Sequence, residues 1–149
     1  MKSRLDYGQV APKAIKGLLE IENYIHHSNL EKSLFELVKT RASQINGCGY
    51  CLDMHTKDAR KEGETEQRLY ALSAWRETPF FTVRERIALE WTEALTLIAG
   101  NHISDELYDK VSKEFNEQDL IALTMTIIAI NGWNRLAIPF RTVAGSYNP

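Results

Sequence analysis

The chain's two cysteines and one of its four histidines lie within eight positions of the segment INGCGYCLDMH, residues 45–55. Cys48 and Cys51 are three residues apart and His55 follows four residues later, so a helix here would carry all three side chains on one face. With Asn46 as the predicted N-cap, Cys48 would lie in the first turn and Cys51 just beyond it, where free amide groups favour a thiolate. A thiolate is a nucleophile, and an imidazole one turn away can exchange a proton with it near neutral pH. The spacing therefore predicts a thiol redox site.

Glu36 is the candidate partner of His55. It lies one helix earlier, between Phe35 and Leu37, and the chain must turn back near it to form the next helix. A carboxylate half-buried among such neighbours would orient the imidazole or take its proton.

Other interpretations of these side chains stay open. Two buried structural cysteines and a hydrogen-bonded core histidine would also fit a helix. Cys48, Cys51, His55 and Glu36 could also supply four ligands to zinc or iron, but structural zinc sites usually combine two separated ligand pairs and no second CxxC or HxxxH is present. A c-type haem needs histidine where Leu52 stands, and the CxxC of a thioredoxin fold follows a strand, whereas the segment before this one has helical periodicity. We expect no metal and no other cofactor.

Composition narrows the classes of function. The 149 residues fit a single domain spanning 1–149, with 44% hydrophobic and 26% charged residues. The net charge of −2 comes from 18 basic and 20 acidic residues that are interspersed, which disfavours nucleic-acid and membrane partners. The longest apolar run, residues 120–130, is about half of a membrane span and predicts a buried core helix. No export signal is visible, so we expect a cytoplasmic protein, in which a cysteine pair is more often catalytic or metal-binding than a permanent crosslink.

Apolar residues recur at helical spacing along almost the whole chain, which predicts an all-α fold. Capping boxes are predicted at Ser28 with Glu31 and at Thr82 with Glu85. Ser104 and Asn116 are further N-cap candidates, Gly63 and Gly100 mark helix ends, and 137–149 is predicted to be an irregular tail. The expected helices cover residues 11–26, 29–45, 47–62, 65–76, 82–99, 104–115 and 117–134. Trp75 and Trp91 are expected in the core, and the apolar stripe of the 82–99 helix is expected to face the core or an oligomer interface.

The order of a glutamate, CxxC and a histidine four residues later, formed here by Glu36, Cys48, Cys51 and His55, resembles the signature of the AhpD-like alkylhydroperoxidase family within the carboxymuconolactone decarboxylase superfamily. Three segments, 41–64, 81–98 and 130–140, are similar to blocks of the shorter members. The resemblance implies an AhpD-like bundle of about six to seven packed antiparallel helices that assembles as a homo-oligomer, either a trimer or a hexamer.

The same resemblance implies a catalytic cycle. Cys51 would attack a hydroperoxide and become a sulfenic acid, and Cys48 would resolve it into a disulfide. His55 would shuttle the proton, linked to Glu36. A dithiol reductant, in some members a lipoyl-bearing protein, would restore the two thiols. The implied function is a thiol-dependent peroxidase of antioxidant defence; the alternatives are a small-molecule enzyme with non-essential cysteines and a non-enzymatic oligomeric binding module.

Two accessory positions complete the prediction. Tyr50 stands where the best-studied branch of the family has a second histidine, and a phenol cannot replace an imidazole as a base near neutral pH, although it can donate a hydrogen bond. Trp133 would either line the cysteine pocket or pack at a helix end, and we favour packing. The remaining histidines, His26, His27 and His102, are expected at the surface.

Overall fold

Residues 2–149, which the computed structural model describes, are helical over most of their length and contain no β-strand. The α-helices among them are α1 (Tyr7–Val10), α2 (Pro12–His26), α3 (Lys32–Asn46), α4 (Gly49–Lys61), α5 (Glu66–Ala71), α6 (Val83–Thr96), α7 (Asp105–Glu114) and α8 (Glu117–Phe140). A 3-10 helix (Leu72–Glu77) follows α5 directly. The all-α prediction is confirmed.

Helix α3 is the central element, because it packs against α4, α6 and α8 and every residue from 34 to 40 is buried. Leu37 and Val38 on this helix are fully enclosed by neighbouring helices. Trp75 and Trp91 are buried as predicted, at 4% and 6% exposure. Burial of α3 on all sides explains why polar side chains that it carries face the protein interior rather than solvent.

Three of the predicted N-caps are confirmed. Thr82 and Glu85 form a reciprocal capping box, and the side chains of Ser104 and Asn116 accept backbone N–H groups of their helices. The box at Ser28 and Glu31 is wrong, because α3 begins only at Lys32 and its N-cap makes no side-chain bond.

Ser28 and Glu31, the two residues of the predicted capping box, each bond other groups. The Ser28 hydroxyl donates to the carbonyl of Ile25 and accepts from the Leu30 N–H, which closes a turn before the helix. The Glu31 carboxylate pairs with Arg84 on α6, at 2.8 Å. A tertiary ion pair and a local turn have therefore replaced the expected cap.

The helix ends differ in part from the prediction. Gly63 has a φ of 95° just beyond α4, as its predicted role requires. Gly100 does not cap a helix, because α6 ends at Thr96. Helix α8 runs to Phe140 and contains Pro139, so the irregular tail begins later than predicted.

Helix α8 alone among the helices of residues 2–149 has the length and apolar composition of a membrane span, and 44% of its most apolar window is buried inside the fold. Core helices of soluble proteins meet the same criterion, so this feature is weak evidence for a membrane span. The helix packs against α2, α3, α4, α6 and α7.

Candidate active site

The connection between α3 and α4 places both cysteines. Helix α3 continues through Asn46, and Gly47 reverses the chain with a φ of 70°. Cys48 is the N-cap of α4, and its sulfur accepts the N–H of Cys51 at 3.3 Å. The prediction of Asn46 as N-cap is wrong, because its side-chain amide instead donates to two asparagines of α8, Asn131 and Asn134. Cys51 rather than Cys48 therefore lies in the first turn, where the free amides of the helix are found.

Cys48 and Cys51 are joined in a disulfide, with their Cα atoms 5.4 Å apart. Both residues are buried, at 1% and 2% exposure, and they pack against Ala42 of α3 and Ile130 and Ala137 of α8. The two sulfurs that the sequence placed on one helical face are thus within bonding reach of each other.

His55 and Glu36 form the contact that the sequence suggested. The imidazole Nδ1 lies 2.9 Å from Glu36 Oε2, and both side chains are buried. An ionised carboxylate only accepts, so Nδ1 carries the proton donated to it. The other ring nitrogen, Nε2, has no hydrogen-bond partner among residues 2–149. The pair therefore leaves one imidazole nitrogen free for a proton acceptor or donor that enters the site.

A cavity of about 380 Å³ opens beside this pair. Cys51, His55 and Glu36 line it, whereas Cys48 is not among the described residues that form its wall. The rest of the lining is largely apolar or aromatic and includes Leu19, Phe35, Met54, Trp133 and Ala137. Of the two sulfurs, that of Cys51 is thus on the side from which a small molecule would approach.

The two accessory residues also lie at this cavity. Tyr50 is half-buried in its wall. Trp133 lines it too, and its indole N–H donates to Glu22 Oε1 at 2.8 Å. Trp133 thus packs against the cysteine cluster, as favoured, and also lines the cavity, from within α8 rather than from its end. The exposed positions predicted for the other histidines are confirmed, with His26 at the rim of the cavity.

Lys39 is a cavity residue that the sequence analysis missed. It is 3% exposed, its ammonium donates to Glu22 Oε2 at 2.6 Å, and it lies 3.9 Å from the centroid of the Phe35 ring. Burial lowers the pKa of Lys39, against the attraction of Glu22, Glu36 and Asp58. The signal in the sequence was its spacing, because Lys39 follows Glu36 by three residues and so shares its helical face.

Asp58 and Tyr147 are two further cavity residues that the sequence analysis missed. Asp58 is three residues after His55 on α4, and the hydroxyl of Tyr147 donates to its Oδ1 at 2.7 Å. This hydrogen bond is the main cause that raises the pKa of Tyr147 to about 12. The spacing of Asp58 from His55 is visible in the sequence, whereas the return of the C-terminal segment to α4 is not.

The acidic groups and the imidazole raise the question of a metal. Possible ligand atoms of Glu36, His55 and Asp58 all lie within 4.8 Å of one another. The joined sulfurs of the disulfide are not available as thiolate ligands, so the four-ligand set with both cysteines does not match this structure. Both carboxylates already accept hydrogen bonds from the protein, and the Lys39 ammonium attracts both. We therefore describe the cluster as a hydrogen-bonded network and assign it no ion.

Comparisons with known proteins find relatives over nearly the whole chain. The family model described as the carboxymuconolactone decarboxylase family matches residues 11–94. The uncharacterized protein YdfG of Bacillus subtilis is 43% identical over 146 residues, which cover 98% of this chain and 99% of that protein. A crystal structure from Agrobacterium tumefaciens, described as a protein of unknown function and a candidate antioxidant defence protein AhpD, superposes with a TM-score of 0.93. It is 39% identical, and the match covers 98% of this chain and 100% of that one. The alkyl hydroperoxide reductase AhpD of Hyphomonas neptunium is 45% identical over 49 residues, 33% of this chain and 27% of that protein.

Proposed function

Because the chain belongs to the carboxymuconolactone decarboxylase family and is AhpD-like, we propose that it is a thiol-dependent alkylhydroperoxidase of antioxidant defence. The single observation that carries the proposal is the position of Cys51, which lines the cavity beside the Glu36–His55 pair while disulfide-bonded to Cys48 behind it. The Cys48–Cys51 pair would cycle between a dithiol and a disulfide, and the structure corresponds to the oxidised half of the cycle.

In the oxidising half, His55 Nε2 takes the thiol proton of Cys51, and the resulting thiolate attacks the terminal oxygen of the hydroperoxide and breaks the O–O bond. The products are a sulfenic acid on Cys51 and an alkoxide, which takes a proton from His55 Nε2 and leaves as the alcohol. Glu36 accepts the hydrogen bond from Nδ1 and stabilises the positive charge of the protonated ring. This assignment gives each nitrogen of the buried imidazole a separate task.

Resolution of the sulfenic acid uses the short distance between the cysteines. The Cys48 thiolate attacks the Cys51 sulfur, the S–O bond breaks, and hydroxide leaves as water after it takes a proton. The backbone N–H of Cys51 donates to the Cys48 sulfur in the disulfide form, at 3.3 Å. The same donor would stabilise Cys48 as a thiolate before it attacks.

In the reducing half, a dithiol partner restores the enzyme. One thiolate of the partner attacks Cys51, because that sulfur faces the cavity, and Cys48 leaves as a thiolate. The second thiol of the partner then breaks the mixed disulfide and the partner departs oxidised. A lipoyl-bearing protein is the proposed partner class, and a reducing cytoplasm is the proposed compartment.

A turnover assay with an organic hydroperoxide and reduced lipoamide tests the proposal. We expect Cys51→Ser to lower the rate roughly a hundredfold or more, because it removes the nucleophile. Cys48→Ser should still form one trappable sulfenic acid per chain but no intramolecular disulfide. Met54→Leu is the matched control, because it removes another sulfur from the same cavity wall and should retain turnover. Turnover by Cys51→Ser at the wild-type rate would rule the proposal out.

A further inference from the structure

We infer that Asp58, held by Tyr147, is a positioning residue of the site, a second carboxylate that acts on His55, and that the C-terminal tail (residues 142–149) is thereby part of the active site. The effect of Asp58 on His55 can be measured without turnover, whereas its consequence for turnover rests on the proposed peroxidase function. The sequence suggested Glu36 as a partner of His55, whereas the second carboxylate is recognised only in the structure.

The position of Asp58 brings its charge to the imidazole. It follows His55 by three residues on α4, so the two side chains lie on the same helical face. Atoms of Asp58, His55 and Glu36 lie within 4.8 Å of one another, and Asp58 is half-buried. It lines both the active-site cavity and an adjoining cavity of about 340 Å³, and His26, Phe35, Glu36 and Tyr147 line both as well. Asp58 thus stands where the two cavities meet, next to the buried imidazole.

The tail is attached to α4 by three hydrogen bonds. The Tyr147 hydroxyl donates to Asp58, the Lys57 ammonium donates to the Tyr147 carbonyl at 2.9 Å, and the Gly145 N–H donates to Asp53 Oδ2 at 2.9 Å. Tyr147 is half-buried, while every other residue of 143–149 is exposed. Tyr147 is thus the one side chain of residues 143–149 that inserts into the fold, and its hydroxyl bonds the Asp58 carboxylate.

The charges around His55 show why a second carboxylate matters. A buried imidazolium is costly unless opposite charges are close to it. Glu36 alone bonds the ring directly, and the Lys39 ammonium opposes a positive charge there, although Glu22 partly neutralises it. The titratable and charged groups that line the cavity with His55 are Tyr7 from α1, Glu22 and His26 from α2, Glu36 and Lys39 from α3, Tyr50, Cys51 and Asp58 from α4, and Tyr147 from the tail.

Asp58 is therefore the second anion next to the imidazole itself. Its negative charge stabilises the positive charge that the ring carries once it has taken the Cys51 proton, so that the ring can deliver this proton to a departing alkoxide. Tyr147 contributes by orientation, because its hydroxyl keeps the carboxylate at the ring rather than turned to solvent.

Nuclear magnetic resonance of the four histidine rings in the oxidised protein tests this without any substrate. We expect Asp58→Asn to move the midpoint of the His55 titration to lower pH, because the variant removes an opposite charge next to the ring. Tyr147→Phe should move it in the same direction by less. Asp53→Asn is the matched control, because it removes the other carboxylate that anchors the tail and does not line the cavity. It should leave the His55 midpoint in place.

The outcomes separate cleanly. Coincident His55 curves for wild type and Asp58→Asn would overturn the inference, as would an equal shift in Asp53→Asn, which would mean that loosening the tail is enough. If Asp58→Asn does not fold, Tyr147→Phe decides in the same way. The alkaline limb of the pH profile of kcat/KM for hydroperoxide should move to lower pH in Asp58→Asn, move by less in Tyr147→Phe, and stay in place in Asp53→Asn. A shift in His55 with no turnover in wild type would remove the proposed function and leave the electrostatic role of Asp58 standing.

Discussion

At the scale of single residues, the position before Cys51 determines whether a second imidazole stands next to the proposed nucleophile. Tyr50 lines the cavity, and burial raises its pKa, with smaller contributions from Tyr7, Asp53 and Asp58. The phenol therefore stays neutral at neutral pH and can donate a hydrogen bond but cannot act as a base. The imidazoles on the described cavity wall are then those of His55 and of the exposed His26 at its rim.

Replacing Tyr50 by histidine tests this limit. A second imidazole next to Cys51 would accept the thiol proton, so we expect Tyr50→His to raise kcat/KM for an organic hydroperoxide about tenfold near pH 7, less than a general base usually contributes because His55 is already present. Tyr50→Phe is the control and should match the wild type, because it keeps the ring and removes only the hydroxyl. A rate unchanged in Tyr50→His but reduced in Tyr50→Phe would instead assign the phenol a direct role.

The proximity of Cys48 to Cys51 and the place of His55 one turn later were predictable because they depend only on helical spacing. Glu36 required in addition that two successive helices pack together, which a short connection makes probable. Asp58 has the same spacing logic as His55, yet an acidic residue on a helix is usually solvated, so the sequence alone gives no reason to select it. Tyr147 was not predictable, since its contact joins positions 89 residues apart.

At the scale of elements, the reversal between α3 and α4 sets the geometry of the cysteines. Gly47 ends α3 in the left-handed region, and the Cys48 N–H then bonds the Ser43 carbonyl at 3.0 Å. This closes the last turn of α3 and leaves Cys48 as the N-cap of α4. The position of the disulfide at the start of α4 thus follows from one backbone conformation that glycine adopts at little cost.

A pair of glycines separates this conformational effect from packing. A Cβ at Gly47 or at Gly49 would meet no atom within 4 Å, but only Gly47 has a positive φ. We expect Gly47→Ala to lower the free energy of unfolding by roughly 1 kcal/mol in urea denaturation, through backbone strain alone. Gly49→Ala, in the first turn of α4, should leave it unchanged or slightly higher. Equal losses of stability in both variants would show that backbone strain at position 47 is not the cause.

Capping patterns in the sequence predicted helix ends correctly where the capping side chains kept their local hydrogen bonds. They failed where a residue of another helix bonded the capping side chain instead. The Thr82 capping box survived because both its side chains keep their local bonds. The Ser28 box failed because Glu31 pairs with Arg84 on another helix. Asn46 was lost as a cap because α8 offers two asparagines to its amide, which lie 85 and 88 residues away in the sequence. Tertiary packing overrides local preference in such cases.

At the scale of the whole molecule, one surface of α8 is more apolar than a helix packed in a single chain requires. Ile121 and Ile128 are 55% and 48% exposed and stand seven residues apart, which puts them on one face of the helix. Ile98 of the predicted α6 stripe is also 56% exposed, so this part of the stripe does not reach the core of the chain. Exposed isoleucines that share one helical face, as Ile121 and Ile128 do, are typical of surfaces that are covered by another molecule.

We propose that the expected homo-oligomer, a trimer or a hexamer, buries this face of α8. This face is separate from the candidate active site, because Ile121 and Ile128 are absent from the described cavity wall. Light scattering after size exclusion should give an oligomer for the wild type and a smaller species for Ile128→Glu, since a charge buried at an interface without a partner is costly. Tyr108→Glu, 51% exposed on α7, is the control and should assemble like the wild type. A monomeric wild type at micromolar concentration would contradict the assembly, and an oligomer that survives Ile128→Glu would move the interface to another surface.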